Sequence, residues 1–172
     1  NESLDSLTRL RLTKTNKPDI FYILARLTSW LGEEVASTYL QRNRKDPFEV
    51  EHIWANKYER HTDEFTNEFE FADYRNSLGD LLLLPKSFNA SYGALDYSVK
   101  LEHYFGQNML AKSLNQASYS NSPNFLRKIK EHALACKAYG PEDFKRLAID
   151  ERQSLYTDMA KVIWSVEILD QI

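Results

Sequence analysis

Only five glycines and five prolines punctuate the 172 residues of this chain. Tight hairpins draw on those residues, so few can be built, and helices must carry most of the fold. Pro18 and Asp19 suit a helix start, and Ile20, Ile23, Leu24, Leu27 and Leu31 then recur on one helical face until Gly32 ends the pattern. A second helix is expected over residues 33–43. From Ile149 to Leu169, the residues Leu155, Tyr156, Met159, Val162, Ile163 and Val166 continue a single apolar stripe for about twenty residues, which reads as a long C-terminal helix. Residues 122–138 also read as helical, with Phe125, Ile129 and Leu134 inward and Arg127, Lys128 and Lys130 outward.

Two places break the helical pattern. Residues 48–54 and 79–85 are short β-friendly or aliphatic runs bounded by Pro47, Gly79 and Pro85, and are strand candidates. The acidic stretch between them, 56–77, is too long for a tight turn and poorly periodic, so it is expected to be a long loop. Short helices are expected at 86–92 and 98–105. No internal repeat or low-complexity tract occurs. A chain with ten Tyr, nine Phe and three Trp is too aromatic for disorder. Its longest aliphatic run, Leu81 to Leu84, is far short of the roughly 20 apolar residues that span a bilayer, so no membrane partner is expected. The single cysteine, Cys136, excludes an internal disulfide framework, and with only four histidines it excludes a zinc ribbon. The chain opens on Asn1 without a basic or apolar leader and reads as a piece of a longer cytoplasmic protein.

The net charge of −3 hides an asymmetry. Residues 46–85 hold ten acids against Lys57, Arg60 and Arg75, whereas residues 86–137 hold seven bases against Asp96, Glu102 and Glu131. One acidic stretch abuts one basic stretch. Either the charges solvate two exposed faces, or a metal-binding loop faces a phosphate-binding surface.

A strand, a long connection, a strand and then a helix make a ββα order, and polar residues stand where such a unit can use them: Glu51 and His52 on the first strand, Asp80 opening the second, Asn89 in the helix. Hydrolysis of a phosphodiester needs a water made nucleophilic and a hard cation beside the phosphate oxygens. A neutral imidazole supplies the base near pH 7, and a carboxylate with an amide oxygen can hold a Mg²⁺ that keeps most of its waters. His52, Glu51 and Asn89 are those groups, although a surface His-Glu pair and a helix-capping Asn have the same composition. His61, His103 and His132 lack partners at metal-ligand spacing and read as surface or satisfied positions. Tyr92, Tyr97 and Tyr104 lie near Asn89 in sequence, either in the core or along a nucleic-acid groove.

The order Glu51-His52-Ile53, then residues 75–84 (RNSLGDLLLL), then Asn89, Lys100 and Tyr104 resembles the His-Me finger, HNH-like nuclease domain at the C-terminus of GmrSD-type modification-dependent restriction enzymes, a domain shared with the phosphorothioate-sensing SspE proteins. Gly140-Pro141-Glu142, Ile149, Arg152 and a helix ending Ile163-Trp164 are similar to the terminal segment of that family. The resemblance implies a mainly α domain enclosing a small ββα-metal unit, arranged as a helical lead-in (1–45), a catalytic unit (46–106) and C-terminal helices (107–172). It implies a Mg²⁺- or Mn²⁺-dependent endonuclease or nickase of a bacterial, cytoplasmic phage-defence system acting on double-stranded DNA, with an N-terminal NTP-binding sensor domain in the same chain or complex. Residue by residue, His52 becomes the general base, Glu51 a metal ligand or metal-orienting acid, and Asn89 the metal-side amide. Lys86, Lys100, Arg127, Lys128 and Lys130 become DNA contacts, with a structural role equally open to Lys100. Asp80 stands where the family has Asn, which leaves it either tying down the hairpin or adding a second carboxylate near the metal. No arginine-rich recognition helix or finger supplies base readout, so the sensing of a modification is expected outside this chain. The other class the residues allow is an inert helical protein-interaction module.

Overall fold

In the computed structural model, residues 2–165 are described, and the chain is mainly α around one two-stranded sheet. The principal helices and strands are α1 (Lys17–Gly32), β1 (Phe48–His52), α2 (Glu68–Arg75), β2 (Leu81–Pro85), α3 (Lys86–Tyr92), α4 (Tyr97–Tyr104), α5 (Pro123–Glu131) and α6 (Arg146–Ile163). Single turns at Ser37–Leu40, Met109–Lys112 and Ser118–Asn121 fill the connections.

The sheet is central. Strands β1 and β2 run antiparallel, with Glu51 opposite Leu82 and His52 opposite Leu81. All four leucines of β2 are fully buried. A strand with no polar alternation must be covered on both faces, and here α1 and α3 pack against it. Ile20, Phe21, Leu24, Leu27 and Leu31 of α1 meet Ile149, Leu155, Tyr156 and Met159 of α6 in the same apolar core.

Three expectations are corrected. The segment 33–43 is not a helix beyond the turn Ser37–Leu40, because Glu33 takes a left-handed backbone (φ 56°) that reverses the chain directly after Gly32. The helix expected over 122–138 stops at Glu131, and Ala133 (φ 50°) turns the chain away. The segment 56–77 is not a structureless loop, since it contains α2. This helix buries only Phe71, so it shows no apolar periodicity, and its signals are polar: the Asn67 side chain accepts from Glu70 N–H, acids occupy the first turn and Arg75 the last. The C-terminal helix ends at Ile163, capped by Trp164, and the expected continuation through Val166 and Leu169 lies outside the described residues.

The turn Leu78–Asp80 leads into β2 and is pressed against α6. Gly79 N–H donates to Gln153 Oε1 at 2.6 Å. A Cβ on Gly79 would collide with the Ile149 carbonyl oxygen and stand 2.7 Å from Gln153 N, both backbone atoms of a long helix that cannot yield locally. Gly79→Ala is therefore expected to cost about 1–3 kcal/mol or more in urea unfolding, the range for overpacking. A loss below about 0.5 kcal/mol would show that α6 slides freely over this turn.

Candidate active site at the end of the hairpin

Strand β1 ends at His52, and the chain beyond it is anchored from two sides. The Ile53 N–H donates to the Asp80 carbonyl at 2.7 Å, and the Trp54 N–H donates to the Asp80 carboxylate at 3.1 Å. Asp80 is fully buried, and burial pushes its pKa well up while the charges of Arg75 and Lys100 draw it back. Both its oxygens lie near the Trp54 N–H, at 3.1 and 3.4 Å, so it ties the end of β1 to the turn before β2.

Glu51 is also buried. Desolvation raises its pKa, and Lys100 opposes this with a charge-assisted hydrogen bond of 2.9 Å to Oε1. The same ammonium donates to the carbonyls of His52 (3.0 Å) and Ile53 (3.2 Å). Lys100 has no exposed surface and all three of its protons are engaged, so its place is structural and the expected DNA contact is not available to it.

His52 is half-buried. Its Nε2 lies 3.0 Å from Asn76 Oδ1, and Asn76 Nδ2 donates to the Ala72 carbonyl at 2.8 Å. That second bond fixes which end of the amide faces the ring. An oxygen facing Nε2 requires Nε2 to carry the proton, which leaves Nδ1 with its lone pair, and no described residue hydrogen-bonds Nδ1. Burial, then the Arg75 guanidinium, push the His52 pKa down to about 3, so the ring is neutral at pH 7.

Glu51, His52 and Asn89 line one cleft of about 300 Å³ together with Asn56, Lys57, Arg75 and Gly93. Glu51 Oε2 and the Asn89 side chain accept no hydrogen bond from a described residue, and both residues line the cleft. Gly93 is required here: a Cβ on it would stand 2.7 Å from the Asn89 carbonyl and 3.1 Å from Asn89 Oδ1. Arg75 donates through Nε to the Trp54 carbonyl at 3.0 Å, and its two terminal nitrogens make no hydrogen bond to a described residue. Among the described residues, no group of three or more His, Cys, Asp or Glu gathers as a ready-made metal cage.

The remaining expected contacts lie elsewhere. Lys86 is exposed at the head of α3. Arg127 and Lys130 are exposed on α5, Arg127 pairing with Glu33 at 3.3 Å. Lys128, expected outward, instead folds over the Trp30 ring and donates to the Trp30 carbonyl at 2.6 Å, where it caps α1. Tyr104 is wholly buried, and Tyr97 donates to the Tyr139 carbonyl. Arg75 and Asn76 entered the sequence reading only as part of the motif 75–84, with no role given to them, and Gly93 did not enter it. The helix signals in Asn67, Glu70 and Arg75 are what would have placed the first two beside His52.

The mainly α domain thus presents an imidazole, a carboxylate and an amide in one cleft at the end of the strand pair. The chain belongs to the family described as GmrSD restriction endonucleases, C-terminal domain, whose model matches residues 1–159. Such a family acts on DNA as a nuclease and implies a divalent metal in general, and it does not favour the inert interaction module. Comparison with curated proteins and with solved structures finds no match. No helix among the described residues is long and apolar enough to cross a membrane.

Removing the Lys100 ammonium leaves a buried carboxylate alone. Lys100→Met is expected to destabilise the fold by about 3–5 kcal/mol in urea unfolding, with a large part recovered in Lys100→Met/Glu51→Gln, where no charge is stranded. A stable Lys100→Met protein that binds DNA poorly would return Lys100 to the DNA surface.

Proposed function

We propose that this cleft is a ββα-metal nuclease centre that hydrolyses a DNA phosphodiester with His52 as general base. The observation that carries the reading is the His52–Asn76 pair: a neutral imidazole, held in the tautomer that leaves Nδ1 basic, beside two unpartnered oxygens from Glu51 and Asn89. Those oxygens fit a hard divalent ion such as Mg²⁺ or Mn²⁺, which tolerates a site supplying only two protein donors because it keeps several waters. When bound, the ion would neutralise a non-bridging phosphate oxygen and favour departure of the alkoxide.

The residues of the chain divide the rest. His52 Nδ1 takes a proton from the attacking water, while Asn76 holds the ring through Nε2. Arg75, with free guanidinium nitrogens on the cleft wall, pairs with the scissile phosphate. This pairing bears on the base itself, because the Arg75 charge is one cause of the low His52 pKa. A phosphate that neutralises that charge, and adds its own negative field, raises the affinity of His52 for a proton when substrate is present. Lys57 and Lys86 supply further positive charge to the DNA backbone. Phosphate contacts carry no sequence information, so this unit cuts without intrinsic sequence choice, and selection by modification, with NTP control, belongs to another domain of the system.

The experiment is plasmid nicking with purified protein. His52→Ala should lower the rate by about 10²-fold or more, the lower range for loss of a positioned base, and excess EDTA should abolish cleavage. Undiminished cleavage by folded His52→Ala would place the base elsewhere.

Arg75→Gln separates two contributions. Phosphate pairing is lost, so KM for DNA rises. The His52 pKa also loses a depressing charge, so the acid limb of kcat/KM moves to higher pH. An acid limb that stays in place would show that the guanidinium does not act on His52.

A further inference from the structure

The stretch Arg42 to Lys45, just ahead of β1, carries three cations, and all of it is exposed. The segment is fastened to the head of α3. Lys86 N–H donates to the Pro47 carbonyl at 2.9 Å and Ser87 N–H to the Asp46 carboxylate at 3.0 Å, so Lys86 joins the three in one basic corner. Hydrogen bonds from Ser87, and then the charges of Arg44 and Lys86, hold the Asp46 carboxyl below the usual carboxylate range, which places both cations beside it. The fold holds these cations without neutralising them. Arg42 lies 3.7 Å over the Phe21 ring, and Arg44 lies 4.8 Å over the Phe48 ring and donates to the Thr38 carbonyl at 2.9 Å. A ring face or a carbonyl orients a guanidinium and leaves its charge in place. Among the described residues none of Arg42, Arg44, Lys45 and Lys86 pairs with a carboxylate, whereas Arg127 and Lys128 of α5 both pair with Glu33.

Against these four cations the corner has two acids, Asp46 and Glu49, a surplus of two positive charges on a chain whose net charge is −3. Helix α3 carries that surplus towards the cleft, since Asn89 stands one helical turn after Lys86. Strand β1 runs the same way, and from Phe48 to His52 it rises about 3.3 Å per residue, roughly 13 Å in all. That length is close to four phosphate steps of a B-DNA strand, at about 3.4 Å each along the axis. We infer that Arg42, Arg44, Lys45 and Lys86 form a phosphate track that grips the DNA strand on one side of the scissile position. The inference rests on the nuclease reading of the cleft, and it moves the DNA surface from α5 to the Phe48–Pro85 end of the strand pair. Such cations meet every sequence alike, so the track adds affinity and register and no base choice.

The test is fluorescence anisotropy with a short labelled duplex, in EDTA to suppress cleavage, over a range of salt concentrations. Each phosphate contact contributes about 0.9 to the slope of log K against log salt, so Arg42→Gln/Arg44→Gln/Lys45→Gln should bind more weakly and lose about 2–3 from that slope. Lys45 makes no hydrogen bond or ion pair with a described residue, so Lys45→Gln keeps the fold and should lose about 1. Arg127→Gln/Lys130→Gln removes exposed charge from α5 and should leave the slope where it is. A wild-type slope in folded Lys45→Gln, or an equal fall in the α5 variant, would overturn the track. Displacement of the duplex by polyglutamate at equal charge concentration would also overturn it and assign the corner to an acidic protein. If the slopes fall as expected while wild type never nicks a plasmid with Mg²⁺, the nuclease reading fails and the track stands.

Discussion

The buried ion pair between Lys100 and Glu51 decides the form of the site. It reaches from α4 to the last residues of β1, and its three hydrogen bonds fix a carboxylate and two successive carbonyls at once. Burying such a pair gains little net stability, because desolvation offsets most of the attraction. What it confers is position. The carbonyl of His52 is held from the same ammonium that holds Glu51, so the acid and the imidazole keep their relation although neighbouring strand residues point to opposite faces.

Charge bookkeeping extends this. Of the buried carboxylates near the hairpin, Glu51 is held by Lys100, and Asp80 is opposed by the charges of Arg75 and Lys100. Arg152 meets the hydroxyl of Tyr156 at 2.6 Å, and Tyr156 in turn donates to the Leu81 carbonyl, so α6 is connected to the same strand pair. Arg75 opposes Asp80 through space while its two terminal nitrogens make no hydrogen bond to a described residue, and it lies on the cleft wall. A site for an anionic substrate needs a positive charge that the fold itself does not consume.

Much of the fold was legible because burial leaves periodic traces. The stripe of α1, the core of α6 and the leucines of β2 follow directly from apolar spacing, and the short helix α3 follows Pro85 where the chain was expected to turn helical. Helix α2 was not legible that way, since it buries one residue and rests on caps and charges, and with it went the positions of Arg75 and Asn76. Glu51, His52 and Asn89, singled out by the motif, line one cleft. The basic residues misled. Charge alone does not say whether a lysine points to solvent, and Lys100 and Lys128 are consumed by a carboxylate and by helix or strand carbonyls that sequence does not pair with them.

Asp80 shows how such a motif tolerates change. The family resemblance places Asn at this position, and an amide would offer one oxygen to the Trp54 N–H. A carboxylate offers two, which lie 3.1 and 3.4 Å from that nitrogen. The cost of the change is a buried negative charge, and the structure sets Arg75 and Lys100 close enough to oppose it. The substitution therefore keeps the tie that shapes the end of β1 while it changes the field in which Glu51 and His52 work. Because Asp80 also offsets the charge of Arg75, it tempers the very group that depresses the His52 pKa, and the basicity of the imidazole is set jointly by a residue on the cleft wall and one sealed behind it.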